Sequence, residues 1–170
     1  MKITFIRHTE SEYNQKRIYQ GQYDCDCSEN GMEKLKEFAK TFNQQYDICY
    51  CSPLKRTRIT ASMLVPNIKT VYDNRIKEIK LGEWENTPIT DEKQKLFSTG
   101  QYIPKGAETK AEFDARIINF LDMIKFNQSD KDRILVVTHG GVIRAINRIL
   151  DPNNKLDKIN NLDIYKVNLI

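Results

Sequence analysis

Two short apolar runs, at residues 3–6 and 134–137, are each followed within two residues by a histidine. Nearly continuous apolar runs of this length are typical of strands in a parallel sheet that is covered on both faces. His8 and His139 are the only histidines in the chain. Because ligands of such sheets bind beyond the carboxyl ends of the strands, both histidines are expected at one ligand-binding edge.

Segments with helical spacing separate these strands. Apolar residues recur every three or four positions over residues 32–42 and 113–124, which predicts two amphipathic helices. Ser28 is a suitable N-cap for the first, and Thr109 with Glu112 three residues later forms a capping box for the second. The starts of both helices are therefore well defined by the sequence.

A third strand is predicted at residues 47–51, directly before another helix. Ser52 is a plausible N-cap for that helix, and Pro53 would occupy its first position, where a missing N–H costs nothing. The apolar pattern predicts that the helix ends near Leu64.

The end of the chain repeats the same alternation. A helix is predicted directly after Gly140 and Gly141, and a last strand at residues 163–169. Alternating strands and helices predict an α/β fold, a three-layer α/β/α sandwich with a mostly parallel central sheet. At 170 residues the chain is expected to form one domain over residues 1–170. Only residues 86–105 carry no assignable pattern.

Composition narrows the class of partner. The mean hydropathy is −0.61, and no stretch approaches the roughly 18 apolar residues of a membrane span, so no membrane partner is expected. No secretory signal is visible, which favours a cytoplasmic location. The net charge of +4 is spread along the chain, which favours a small anionic substrate over nucleic acid. The sequence gives no indication of the oligomeric state.

Four cysteines form two Cys-x-Cys pairs, Cys25 with Cys27 and Cys49 with Cys51. Structural zinc sites usually space paired ligands two to four residues apart, so this spacing argues against zinc. Cys27, Cys49 and Cys51 are instead expected to be small buried apolar residues in a reducing compartment. We expect neither a metal nor a cofactor.

Two arginines and two glycines accompany the two histidines. Arg7 directly precedes His8, and Arg56 falls early in the helix that follows residues 47–51. Guanidinium groups bind phosphate oxygens through paired hydrogen bonds, although an isolated arginine is more often a solvated surface residue. Gly140 and Gly141 let the backbone of a helix N-terminus approach an anion closely. Together these residues predict a phosphate-binding site.

A carboxylate-rich segment around the only tryptophan, Trp84, completes the set. Glu78, Glu83 and Glu85 are all candidates for a catalytic acid, and composition alone does not choose among them.

Five blocks of this sequence resemble the histidine phosphatase superfamily, also called phosphoglycerate-mutase-like, in order and spacing. The resemblance spans residues 3–150, and five blocks in register are far more specific than any one alone. The blocks are Arg7-His8-Thr9-Glu10-Ser11-x-x-Asn14, Gln20-Gly21, Ser52-Pro53-Leu54-x-Arg56, Glu78-x-x-x-Gly82-x-Trp84-Glu85 and Thr138-His139-Gly140-Gly141.

The resemblance implies a phosphoglycerate-mutase-like fold and a role for each matching residue. His8 would be the nucleophile and Glu78 the general acid and base, while His139 would join Arg7 and Arg56 around the phosphate. Further substrate contacts would come from Asn14, Gln20, Gly21 and Gly140.

Two segments depart from the family pattern. Thr9 and Ser11 stand where the family usually has glycine and threonine, so the turn after His8 is expected to differ in geometry. Cys25-Asp26-Cys27-Ser28 replaces the usual Pro-Leu-Thr, although Ser28 can still cap the following helix.

Within this family the sequence favours a metal-independent phosphomonoesterase that acts on a small phosphorylated metabolite. A mutase needs a lid over its phosphohistidine, and the roughly twenty residues between Glu85 and Gly106 provide little material for one. Residues 18–21 and the short chain look most like the α-ribazole phosphatase and broad-specificity phosphatase branch.

Three alternatives remain. One is a phosphoglycerate mutase, which transfers the phosphoryl group instead of hydrolysing it. Another is a regulatory module that binds phosphate and has no catalytic activity. The last is a phosphohistidine protein phosphatase, a branch in which the acid equivalent to Glu78 is typically absent. Glu78 therefore favours ester substrates.

Overall fold

The computed structural model describes residues 1–169, which form one five-stranded sheet flanked by helices. The strands are β1 (Lys2–Arg7), β2 (Ile48–Cys51), β3 (Thr70–Tyr72), β4 (Arg133–Thr138) and β5 (Ile164–Asn168). Their order across the sheet is β3-β2-β4-β1-β5. The first four are parallel and β5 runs antiparallel to β1. The predicted mostly parallel sheet is confirmed.

Six helices connect the strands. They are α1 (Glu12–Lys16), α2 (Glu29–Thr41), α3 (Lys55–Leu64), α4 (Asp91–Thr99), α5 (Lys110–Asn127) and α6 (Gly140–Leu150). Two short 3₁₀ turns, Asn74–Ile76 and Gly82–Trp84, lie between β3 and α4. No helix in residues 1–169 combines the length and the apolar character that crossing a bilayer requires.

The two faces of the sheet bury separate apolar clusters, because successive side chains of a strand point to opposite faces. Phe5 and Val136 pack on one side with α5 and α6. Ile6 and Val137 pack on the other side with α2 and α3, through residues such as Leu35. The sheet is thus the middle layer of the predicted α/β/α sandwich.

The predicted starts of α2 and α5 are confirmed. The hydroxyl of Ser28 accepts a hydrogen bond of 2.9 Å from the Gly31 N–H. Thr109 and Glu112 form both bonds of a capping box. Each cap satisfies N–H groups that have no partner inside the helix.

The predicted start of α3 is wrong. Leu54 occupies the N-cap position without a side-chain cap, and the helix begins at Lys55, beyond both Ser52 and Pro53. The Ser52 hydroxyl is not available for capping because it bonds the ring of His139. The predicted end at Leu64 is correct.

The other segments differ by a few residues or were not predicted. α6 begins at Gly140 itself, with His139 as its N-cap, and not after Gly141. Residues 86–105 had no assignable pattern and contain α4. This helix starts after Thr90 and ends before Gly100, whose φ is +69°. Gly100 takes the left-handed conformation that commonly ends helices.

The cysteines divide between core and periphery. Cys49 and Cys51 are buried in β2, as predicted. Cys25 is buried as well, whereas Cys27, which was predicted to be buried, is half-buried. Burial raises the pKa of the Cys27 thiol to about 11 and that of Cys49 to about 12, so both remain protonated and unreactive near neutral pH. Among residues 1–169, no three His, Cys, Asp or Glu side chains are arranged so that they could hold a metal ion.

Candidate active site

The two histidines meet at the carboxyl edge of the sheet, as the strand pattern predicted. β1 and β4 are neighbouring parallel strands with Arg7 opposite Thr138, and the His8 N–H donates to the Thr138 carbonyl at 2.9 Å. The rings of His8 and His139 lie 5.2 Å apart, centroid to centroid, at an angle of 60°. Both are buried.

The ring of His8 is held in one tautomer. Its Nδ1 lies 2.6 Å from the Thr9 carbonyl oxygen, which can only accept, so Nδ1 carries the hydrogen. Burial and the neighbouring charges of Arg56 and Arg7 hold the pKa of His8 well below its ordinary value. The ring is therefore neutral, and Nε2 has a free lone pair.

His139 is fixed from the other side. Its Nε2 lies 2.8 Å from the Ser52 hydroxyl, while Nδ1 is buried without a hydrogen-bond partner among residues 1–169. Burial, together with Arg56, His8 and Arg7, lowers its pKa well below the ordinary value. Sequence reasoning assigned Ser52 to a helix cap and missed this contact.

Two arginines lie beside the histidines, of which Arg56 is buried and Arg7 is half-buried. Arg7 donates from Nη1 to the Ile159 carbonyl at 2.6 Å, and Arg56 donates to the Gly21 and Tyr23 carbonyls, each at 2.9 Å. Neither Nε finds a partner within residues 1–169. Burial lowers the pKa of both guanidinium groups, because a buried cation without an anion is unfavourable. An anion bound here would remove that cost.

The structure separates the three candidate carboxylates. Glu78 lines the same pocket as His8 and accepts hydrogen bonds from the Ile79 N–H at 2.9 Å and the Gly141 N–H at 3.0 Å. Glu85 accepts from the N–H groups of Gln22 and Leu81 instead. Glu83 is occupied by Tyr102 and the Lys105 N–H. Of the three candidates, Glu78 alone lines the pocket, to which Asp157 contributes a second carboxylate.

The backbone around Glu78 is anchored from two directions. Its carbonyl accepts from Gln22 at 3.1 Å and from Arg116 at 3.0 Å. Arg116 also bonds the carbonyls of Arg75 and Lys77 and forms a half-buried ion pair with Glu108. Sequence reasoning missed Arg116. It lies in α5, and no local sequence pattern distinguishes it from the other charged residues of that helix.

Gly21 is required by the fold of this edge. Its φ is +51°, and a side chain there would collide with the Glu85 carboxylate. Its carbonyl is thereby directed to Arg56. The predicted Gln20-Gly21 pair thus contributes a backbone acceptor as well as pocket lining.

Asn14 and Gln20 are held by a small polar network. Asn14 accepts from the Ser11 N–H at 3.1 Å, and the Ser11 hydroxyl donates to Gln20 at 2.8 Å. Asn161 joins them by donating to the His8 carbonyl at 2.9 Å and to Asn14 at 3.3 Å. Asn161 lies 147 residues from Asn14 in the chain, so local pattern could not find it.

Seven of the nine predicted site residues line one pocket of about 560 Å³. Its walls include Arg7, His8, Asn14, Gln20, Gly21, Arg56 and Glu78. His139 and Gly140 are buried behind this wall and do not line it. Arg144 of α6, which the sequence did not single out, does line it.

An α/β sandwich with paired histidines and arginines at the strand ends defines a phosphate-handling class of protein. The model of the histidine phosphatase superfamily (branch 1) matches residues 3–169, so the chain belongs to this superfamily. Phosphoserine phosphatase 1 of Hydrogenobacter thermophilus is 31% identical to it over 160 residues, which cover 86% of this chain and 74% of the relative.

Solved structures share the fold. A phosphoglycerate mutase from Bacillus anthracis superposes with a TM-score of 0.87 at 18% identity, over 98% of this chain and 86% of that one. An α-ribazole-5′-P phosphatase candidate from Escherichia coli K-12 superposes with a TM-score of 0.76 at 24% identity, over 89% and 80% of the two chains. Both identities are low, so these structures confirm the predicted phosphoglycerate-mutase-like fold alone.

Proposed function

We propose that this protein is a phosphatase that hydrolyses small phosphate monoesters through a phosphohistidine on His8, without a metal or a cofactor. One observation carries the proposal. A neutral, buried His8 with a free Nε2 lies beside Arg7 and Arg56, whose Nε–H groups are buried and have no partner in residues 1–169. A phosphoryl group in contact with His8 would supply the oxygens that these donors lack.

The first step forms the phosphohistidine. Nε2 of His8 attacks phosphorus, the bond to the ester oxygen breaks, and a protonated Glu78 gives its proton to the departing oxygen. Arg7, Arg56 and His139 stabilise the charge on the three remaining phosphoryl oxygens. The alcohol then leaves.

The second step releases phosphate. Glu78, now a carboxylate, accepts a proton from water as that water attacks phosphorus, and the P–N bond breaks. Inorganic phosphate leaves, the lone pair returns to Nε2 of His8, and Glu78 is protonated again. Every proton that moves in the cycle therefore has Glu78 as its donor or acceptor.

The remaining predicted residues are proposed to orient the substrate. Asn14 and Gln20 face the pocket from α1 and the loop after it, and their hydrogen bonds with Asn161 and Ser11 favour a fixed position. Gly21 would contribute by holding Arg56 through its carbonyl. Gly140 would act through the N-terminal end of α6, which favours an anion.

Hydrolysis is favoured over the mutase reaction. Between Glu85 and Gly106 the chain forms one nine-residue helix, α4, which leaves little structure to exclude water from a phosphohistidine. A sequence relative is named a phosphoserine phosphatase, which supports hydrolysis of a small phosphorylated metabolite. The presence of all five predicted catalytic residues in one site argues against a silent regulatory module.

The α-ribazole phosphatase branch remains a narrower proposal for the substrate. The cytoplasm remains the proposed location, which the four free cysteines support because thiols persist in reducing compartments.

The test is hydrolysis of p-nitrophenyl phosphate by the purified protein in excess EDTA, with His8→Ala measured in parallel. We expect activity that persists in EDTA and is lost in the variant. Activity retained by His8→Ala, or abolished by EDTA and restored by a metal, would contradict the proposal. Transfer of the phosphoryl group to a phosphoglycerate acceptor in preference to water would favour the mutase instead.

A further inference from the structure

A second cavity adjoins the proposed catalytic pocket. It has a volume of about 290 Å³ and lies between the end of α4, the loop after it, and α5 and α6. Its walls are largely apolar and include Ile79, Phe97, Tyr102, Ile103 and Phe113. None of the residues proposed to act on the phosphoryl group lines it.

The two cavities share part of their walls. Ile79, Phe97, Ser98 and Arg144 line both of them. A molecule bound at His8 would reach the second cavity past these four residues.

Glu78 lies at the passage between them. Its carboxylate is held by the N–H groups of Ile79 and Gly141, and both of these residues line the second cavity. In the proposed mechanism Glu78 protonates the departing oxygen, so that oxygen must lie beside its carboxyl group. The carbon group attached to the oxygen then starts at the mouth of the second cavity.

The apolar wall is partly exposed and yet well supported. The side chains of Phe97 and Ile103 are 37% and 55% exposed. The ring of Trp84 stacks on Tyr102 with centroids 5.5 Å apart and contacts Phe97 at 6.3 Å. These contacts fix the end of α4 and the following loop over the cavity, so the apolar surface is present before any ligand binds.

Charged groups at the rim are mostly neutralised. Lys110 and Arg148 both pair with Asp114, and Glu108 pairs with Arg116. The Arg144 side chain has no hydrogen bond or ion pair to any residue in 1–169, and it lines the wall shared with the catalytic pocket. The interior therefore favours an apolar group, with positive charge only where the phosphate enters.

We propose that this cavity binds the leaving group of the substrate, and that the preferred substrates are phosphate monoesters whose alcohol carries an apolar, aromatic ring on a short linker. The direction in which the leaving group points follows from the proposed function, on which this proposal rests. It adds the class of alcohol, which the catalytic residues do not specify.

The size of the cavity suits one ring. An apolar protein cavity of roughly 150 Å³ is sufficient to hold benzene. The volume of about 290 Å³ here accommodates a ring together with its linker. Small hydrophilic alcohols would leave the apolar wall in contact with water and gain nothing from it.

The experiment compares 3-phenylpropyl phosphate with propyl phosphate, whose leaving alcohols have nearly the same acidity. We expect kcat/KM to be about tenfold or more higher for the phenylpropyl ester, because burial of the ring stabilises the bound state. In Ile103→Asp the ratio of the two kcat/KM values should fall toward one, since a carboxylate then lines the cavity. Ile118→Asp, at an exposed isoleucine of α5 outside the cavity, should keep the wild-type ratio.

The ratio is measured within one protein sample, so loss of folded material in a variant cancels. A wild-type ratio near one, or an equal fall in Ile103→Asp and Ile118→Asp, would overturn the proposal.

A binding measurement separates this proposal from the proposed function. The dissociation constants of 3-phenylpropylphosphonate and propylphosphonate, which cannot be hydrolysed at the C–P bond, are compared by calorimetry. Tighter binding of the phenylpropyl phosphonate by a protein that hydrolyses neither phosphate ester would support the cavity and contradict the proposed phosphatase. Equal binding of the two would overturn the inference, whatever the activity.

Discussion

The carboxylate of Glu78 accepts a hydrogen bond of 3.0 Å from the backbone N–H of Gly141, in the first turn of the helix that follows His139. The same glycine leaves no space for a larger residue, because a Cβ at this position would collide with the Glu78 carboxyl group. The start of α6 therefore positions the proposed acid as well as His139. Gly141 thus links two parts of the proposed mechanism.

Gly141→Ala should displace Glu78 and weaken proton transfer to the leaving oxygen. General acid catalysis typically contributes about 10²–10⁴-fold. We therefore expect kcat/KM for propyl phosphate, which reports transfer to His8 and not the later hydrolysis, to fall at least about tenfold. The effect on p-nitrophenyl phosphate should be much smaller, because nitrophenolate leaves without a proton. Steady-state kinetics on both esters test this, and an equal loss on both would show that the substitution acts on something other than Glu78.

Ser52→Ala should impair catalysis through His139. The variant removes the hydroxyl that lies 2.8 Å from Nε2 of the buried ring, so the ring loses its fixed orientation toward the phosphate. We expect kcat/KM to fall about tenfold, with a cost of about 1 kcal/mol in unfolding free energy. Ser62→Ala is the matched control, since that hydroxyl bonds only a carbonyl within α3. Wild-type activity in Ser52→Ala would rule out a positioning role.

Ser52 also illustrates where sequence reasoning succeeds and where it fails. The strands that precede His8 and His139 were predictable because the apolar residues of each run, and the histidine that follows, are adjacent in the sequence. The partners that fix the site come from distant segments. Ser52 reaches His139 across 87 residues, and Asn161 reaches the His8 carbonyl across 153. No periodicity links such pairs.

The same limit applies to Arg116 and Arg144. Arg116 stabilises the Glu78 loop through three carbonyls, and Arg144 lines the pocket from α6. Each is one of many charged residues on a helix, and only the tertiary packing distinguishes them. By contrast, the helix caps at Ser28 and Thr109 were predicted correctly because a cap depends on residues three positions apart.

The two buried histidines should make the protein less stable in mild acid. Burial and adjacent arginines depress the pKa of both rings in the folded state, whereas an unfolded histidine binds a proton near pH 6.5. Below that pH the unfolded chain binds more protons than the native one, so its free energy falls relative to the native state. Each histidine should then cost about 1.4 kcal/mol of unfolding free energy between pH 7.5 and pH 5.5.

Urea unfolding of the wild type and of His8→Asn at both pH values, in phosphate-free buffer, measures this contribution. The drop in stability should be smaller in His8→Asn by about 1.4 kcal/mol. An identical pH dependence in the two proteins would mean that His8 is protonated in the folded state.

Thr9 should be a stabilising substitute for the glycine that the family usually has. Its hydroxyl donates to the Gly31 carbonyl at 2.6 Å, and its N–H donates to the Thr60 hydroxyl at 3.0 Å. The backbone at Thr9 is not in the left-handed region, so the Cβ causes no strain. The Thr9 side chain is thus held by its hydroxyl contact to α2, while the backbone N–H contacts α3.

Thr9→Gly should lower the free energy of unfolding by about 2 kcal/mol, through the lost hydrogen bond and the greater freedom of the unfolded chain. Thr9→Ser retains the hydroxyl and should lose less. Chemical denaturation of the three proteins distinguishes these values, and equal stability of the glycine variant and the wild type would refute the interpretation.

A rapid quench of the reaction shows whether His8 carries the phosphoryl group during turnover. The protein is mixed with p-nitrophenyl phosphate in excess EDTA, quenched in alkaline denaturant that preserves P–N bonds, and mapped by peptide mass spectrometry. We expect a phosphorylated histidine at position 8 that forms and decays at rates matching turnover. Turnover with no phosphorylated residue, or with the phosphoryl group on any other side chain, would contradict the proposed role of His8.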